Sequence, residues 1–140
     1  MSRIVAFDHT PACDAGELPN VGRSADELVT WLHDHRALAT GQPEDITLDG
    51  RPAQMIDVSL VPEWTQGCPD SPSPAAVLFG EIDKPGDGRL WAQLQGMKGR
   101  YILFDLGERD TVVIVIASSE DRFDQFVDEA MPIVESFTFE

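Results

Sequence analysis

The chain has two cysteines, Cys13 and Cys68, and both stand in turn-rich segments, Thr10-Pro-Ala-Cys-Asp-Ala-Gly16 and Gln66-Gly-Cys-Pro-Asp-Ser-Pro72. Cysteines in loops, rather than in strands or helices, suit a disulfide better than a pair of buried hydrophobes. A disulfide would place the domain outside the reducing cytosol. A Cys13–Cys68 bridge would close a loop of roughly 56 residues, which the chain-entropy model values at about 4 kcal/mol as an upper figure. Two inert thiols and a redox-active pair are the alternatives, the second without Cys-x-x-Cys spacing.

At 140 residues the sequence suits one domain, 1–140, able to bury a core without a staple. Twenty-five acidic residues against ten basic ones leave a formal charge of −15. Such a chain is repelled by phosphate backbones and anionic lipid heads, which argues against nucleic-acid and membrane-surface roles. With 42% apolar residues it is not disordered by composition. No run approaches the ~20 apolar residues of a membrane span. The start, Met1-Ser-Arg-Ile-Val-Ala-Phe7, is too short for the apolar region of a signal peptide. If the protein is exported, its signal or anchor is absent from this chain; a piece of a longer membrane-anchored protein or lipoprotein would look like this, and a cytoplasmic protein with two free thiols, the alternative, would look the same.

Ile4–Phe7 reads as a short strand. Ser24-Ala-Asp-Glu27 is a capping box. Leu28, Trp31, Leu32, His35 and Ala39 then share one face of a helix expected to stop near Thr40-Gly41. Asp45–Leu48 and Arg51–Leu60 flank Asp49-Gly50, a pair suited to the positive φ angles of a two-residue hairpin turn. Residues 62–74 form a loop with four prolines, Trp64 and Cys68. Ala75–Gly80, Arg89–Gln95, Arg100–Leu106 and Thr111–Ala117 read as strands, with hairpin connections at Lys98-Gly99 and Gly107–Asp110. Val112-Val-Ile-Val-Ile116 is apolar on both faces and predicts a central strand. A second amphipathic helix is expected from about Ser119 to Phe137. Its stripe is Phe123, Phe126, Val127, Ala130, Val134 and Phe137, with Pro132 on the outer face. This order predicts an α+β fold: a twisted antiparallel sheet of about six strands packed by two amphipathic helices.

Several segments together carry a resemblance. They are the loop cysteine followed by Ser24-Ala-Asp-Glu-Leu-Val-Thr-Trp-Leu32, the Asp45–Ala53 hairpin, Tyr101-Ile-Leu-Phe-Asp-Leu-Gly107 leading into Thr111–Ile116, and Ala130-Met-Pro-Ile-Val-Glu-Ser-Phe-Thr-Phe139. The pattern resembles small uncharacterised extracytoplasmic domains of actinobacterial and similar proteins, often found after a membrane anchor. It covers most of residues 12–139. The resemblance implies a PsbP- and Mog1-like α/β sandwich and a paired loop cysteine, matching Cys13 and Cys68. It brings no catalytic residues.

No motif carries chemistry of its own. Zinc would need three or four converging ligands. His33 and His35, two apart on one helix, point in divergent directions; His35 is expected at the core edge, hydrogen-bonded, and His33 in solvent. His9 beside Cys13 suggests a dyad only if the sulfur is not already bridged. Ser118-Ser119 reads as a helix cap rather than a nucleophile. Among twenty-five acids, some carboxylate pair always looks suitable for glycoside chemistry. Asp83-Lys-Pro-Gly-Asp-Gly88 offers two carboxylates but lacks the rest of a calcium loop. No metal or cofactor is called for. The candidate binding loop is Glu63, Trp64 and Asp70: an exposed Trp64 would anchor a partner, a folded-back one would pack the loop. As an anchor, Trp64→Ala should weaken binding without unfolding the domain.

The resulting expectation is a non-enzymatic extracytoplasmic binding or accessory module for a protein, peptide or small ligand. The alternative is a small hydrolase or isomerase with a dispersed site. A deep pocket lined by two or more titratable groups would favour the enzyme, and a shallow surface around Trp64 the binding module.

Overall fold

The computed structural model describes residues 4–10, 13, 16–69, 73–81, 90–107 and 110–139. In chain order the elements are β1 (Ile4–Ala6), α1 (Ala25–His33), β2 (Leu38–Thr40), β3 (Glu44–Leu48), β4 (Arg51–Leu60), β5 (Ala75–Glu81), β6 (Leu90–Leu94), β7 (Met97–Leu106), β8 (Asp110–Ser119) and α2 (Phe123–Glu135). A 3-10 turn, Glu120–Arg122, leads into α2. The fold is α+β, with antiparallel strands throughout, but the strands form two sheets rather than one. The smaller has the order β1-β5-β6; the larger runs β2-β4-β7-β8, with β3 on the same edge of β4 as β2.

The centre of the molecule is β7, not the 112–116 stretch. Tyr101, Ile102, Leu103 and Phe104 are consecutive and all fully buried. Because strand side chains alternate, Tyr101 and Leu103 enter a core shared with α1, Ile56, Val58 and the inner face of the small sheet. Ile102 and Phe104 enter a second core under α2, with Leu48, Ile116, Phe123, Val127 and Val134. The 112–116 segment lies in β8, the edge strand, where Val113 and Val115 face one core and Val112 and Ile114 the other, each half-buried. A two-sided apolar pattern marks coverage on both faces, and coverage is independent of position in the sheet order.

The two sheets meet through a polar relay within this packing. Trp91 Nε1 donates to the Tyr101 hydroxyl (2.7 Å), which donates to Gln93 Oε1 (2.6 Å), whose amide reaches the Met97 carbonyl (3.1 Å). Gly99 makes room for it: a Cβ there would lie 2.7 Å from the Tyr101 ring. Lys98-Gly99 therefore belongs to β7. The chain turns one step earlier, at Gly96, and passes from one sheet to the other, so no hairpin forms there.

Of the other expectations some hold and some are revised. The Asp49-Gly50 hairpin forms with the expected positive φ angles, 48° and 71°. The Ser24 cap of α1 forms, with Glu27 N–H on Ser24 Oγ, but the Glu27 carboxylate accepts from the Ser24 hydroxyl rather than from the Ser24 N–H that would complete the box. The helix, however, stops at His33, not near Thr40. Leu38–Thr40 pairs with Val58–Leu60 instead, and Ala39 is exposed. A helical period seven residues past the true end is outweighed by three ladder pairings on an open sheet edge. Ser119 gives no side-chain cap to the second helix. Phe126 and Phe137 lie at the exposed margin of its stripe, while Phe123, Val127 and Val134 are buried.

On the outer face of the small sheet, Val5, Phe7 and Val77 pack against Cys13, Cys68 and Ala92. Cys13 and Cys68 form a disulfide with Cα atoms 5.5 Å apart. Replacing both with serine should lower unfolding free energy by at most about 4 kcal/mol without changing the fold. Urea denaturation of the double variant checks this; an unchanged midpoint would show that the bridge carries no stability.

Candidate functional site

The small sheet stops early on one edge, and the site grows from that edge. β1 pairs with β5 only as far as Ala6↔Phe79, with one further bond from Phe7 N–H to the Leu78 carbonyl (2.9 Å). The next amide on β5, that of Val77, would be left unpaired. The imidazole of His9 takes it: Val77 N–H donates to His9 Nδ1 at 3.0 Å. An acceptor at Nδ1 fixes the ring as the Nε2–H tautomer. His9 is only 6% exposed, and its Nε2 is buried with no partner.

The proline-rich loop supplies the next wall. Trp64 closes a turn onto the Val61 carbonyl (3.1 Å), and its indole N–H donates to the Ala75 carbonyl (2.9 Å). Its ring meets the His9 ring edge-on at 5.2 Å. At 8% exposure, Trp64 is folded back into the core, so of the two settings weighed for it the packed one is present. Glu63 beside it is exposed, and Asp70 lies outside the described residues, as does the 83–88 turn.

The third wall comes from the end of α1. Because the helix stops at His33, His35 sits in the following turn and folds its ring inward. Ala37 N–H donates to His35 Nδ1 (3.1 Å), again leaving Nε2 as the protonated nitrogen, and Trp31 packs edge-on at 5.1 Å. Arg36 lays its guanidinium over the Trp64 ring at 5.6 Å. His33 points away and contacts Asp34 on the surface (3.2 Å). A cavity of about 310 Å³ is lined by Asp8, His9, Leu18, Trp31, Asp34, His35, Arg36 and Trp64.

Two of the three histidines therefore converge, a juxtaposition that the helical spacing of His33 and His35 does not suggest. Burial pushes the His35 imidazole down to about 4, with the Arg36 charge and the neighbouring His9 ring acting in the same direction and Asp8 opposing. Burial likewise lowers His9, against the pull of Asp8. Each ring already accepts a backbone N–H at Nδ1. A lone pair at Nε2, for a metal or as a general base, would require a proton on Nδ1 pointing at an N–H donor. The pair is built to donate hydrogen bonds. No group of three or more His, Cys, Asp or Glu suited to a metal occurs among the described residues. A larger cleft of about 450 Å³ includes Asp105, whose Oδ1 already accepts from Ala25 N–H (2.9 Å) and the Thr111 hydroxyl (3.0 Å).

Sequence reading singles out His9, His35 and Trp64 separately and passes over Asp8, Arg36 and Leu18. Nothing local marks those three; they become a set only when β1, the end of α1 and the proline-rich loop meet.

Two outcomes follow. Trp64→Ala should cost roughly 3–5 kcal/mol, the range for truncating a buried aromatic. The variant is therefore a test of folding rather than of binding, and a loss below about 1 kcal/mol in urea denaturation would contradict the buried setting. Second, the unfolded chain takes up protons below pH 6.5, whereas folded His35 resists until about 4. Stability from this ring is complete above pH 6.5 and falls as pH drops towards 4, by about 1–3 kcal/mol after allowing for partial exposure. His35→Asn, which keeps an acceptor for Ala37 N–H, should flatten that part of the stability curve; an identical pH dependence in both proteins would refute the assignment. No protein-family model, no curated protein and no solved structure matches this chain.

Proposed function

We propose that this protein is a non-enzymatic binding module of an extracytoplasmic setting, and that its ligand occupies the cleft between His9, His35 and Trp64. The observation that carries this reading is His9, whose ring lines the cavity and whose Nε2–H is buried without an acceptor. A buried donor without a partner costs about 1–3 kcal/mol, and a ligand oxygen would recover that cost. The cleft has two titratable rings, the feature named above as favouring a hydrolase or isomerase. Their tautomers argue the other way, because neither offers a base into the cavity.

The extracytoplasmic setting is supported by the Cys13–Cys68 bridge. No helix among the described residues is long and apolar enough to cross a membrane. Membership among PsbP- and Mog1-like domains is supported by the sequence motifs, and the observed α+β architecture with two antiparallel sheets is compatible with it.

Long-range ¹H–¹⁵N spectra at neutral pH should give both His9 and His35 as Nε2–H tautomers. Acetamide, a neutral acceptor, should shift the His9 and Trp64 indole resonances saturably at up to about 0.5 M, the regime of so small a fragment. An Nδ1–H tautomer at His9 would restore the enzymatic reading. Absence of any acetamide shift would remove the cleft as a binding site.

A further inference from the structure

The charges around this cleft narrow the ligand further. Its lining residues carry donors: the Nε2–H groups of His9 and His35, both neutral, and the Arg36 guanidinium on the Trp64 face. Arg36 makes no ion pair among the described residues, whereas Arg23 and Arg100 are held by Glu17 and Asp57. Together these call for an anionic oxygen pair, since charge-assisted bonds to a carboxylate are the strongest such donors make. The same cavity also carries Asp8 and Asp34, both exposed. The lining thus sums to one positive and two negative charges, on a chain of net charge −15. A phosphate, a dicarboxylate or a simple monocarboxylate would be repelled by that field on approach. A ligand with no net charge would not, and one with both signs satisfies both sets of groups. A cavity of about 310 Å³ lies at the small end of ligand pockets, roughly 300–1,000 Å³, so the occupant is of amino-acid rather than nucleotide size.

We propose that the cleft binds a free zwitterionic α-amino acid, its carboxylate on the donors of His9, His35 and Arg36 and its ammonium group towards Asp8 and Asp34. Trp31 forms the apolar wall against which the ligand side chain lies. This proposal rests on the reading of the cleft as a binding site and adds the ligand class.

The test is titration of the intact protein with the free amino acids, followed on the Trp64 indole and His9 resonances. At least one should saturate with a Kd below about 1 mM. Its N-acetyl derivative, without the ammonium, and its amide, without the carboxylate, should each bind at least about tenfold more weakly. Arg36→Gln and Asp8→Asn, both at exposed positions, should each weaken binding about fivefold or more with Tm unchanged. Equal binding by the N-acetyl derivative would make the ligand a plain carboxylate, and equal binding by the amide a cation; either overturns the proposal. If no amino acid saturates while acetamide still shifts His9, the cleft stands as a binding site and the zwitterion falls. If neither acts, both readings fall.

Discussion

The four fully buried side chains Tyr101–Phe104 are the constraint on which the rest of the molecule depends. A strand buried on one face needs one partner layer; a strand buried on both needs two. β7 obtains them from the small sheet with α1 on one side and from α2 on the other. Its two hydrogen-bonding edges are taken by β4 and β8. At ~25 cal/mol per Å² of apolar surface removed from water, no local preference elsewhere in the chain competes with the arrangement that keeps these four residues dry. The Tyr101 hydroxyl is the one polar side-chain group among these four residues. Its donors and acceptors on Trp91 and Gln93 fix how the small sheet meets the large one, and burial raises the phenol well above its usual ionisation range.

The cleft is a consequence of where pairing stops. β1 is three residues long, and past Phe7 the edge of β5 still has an amide to satisfy. An imidazole replaces the missing strand at Val77, and the ring is held with its other nitrogen buried and unanswered. The disulfide and Trp64 hold the neighbouring loop against that edge: Ala75 N–H returns to the Gln66 carbonyl, and the Trp64 indole spans to the Ala75 carbonyl. Structural satisfaction of backbone groups and the polarity of the site are therefore one and the same set of bonds. The tautomers that complete the fold also decide that these histidines donate rather than accept.

Much of the local structure is legible in the chain. The Ser24 cap and the Asp49-Gly50 turn are short-range devices whose geometry depends on a few adjacent residues, and both appear as read. The loop setting of Cys13 and Cys68 is likewise a local cue, and they are bridged. The misread segments are those in which distant partners decide. Leu38–Thr40 has helical periodicity but is claimed by the edge of β4. Lys98-Gly99 has turn composition but is claimed by the Tyr101 ring. The 112–116 run is apolar on both faces yet takes the sheet edge, because Tyr101–Phe104 needs the centre more.

What the sequence by itself determined is the set of elements with their own short-range chemistry: an acidic α+β chain, its caps and tight turn, its amphipathic second helix and its loop cysteines. Only the tertiary structure decided the division into two sheets, the central place of β7 and the meeting of His9, His35, Arg36 and Trp64. The physical reason is range. Caps and turns are settled by bonds across three or four residues, whereas the cleft is closed by contacts between residues as far apart as His9 and Val77, whose separation along the chain leaves no periodicity to read.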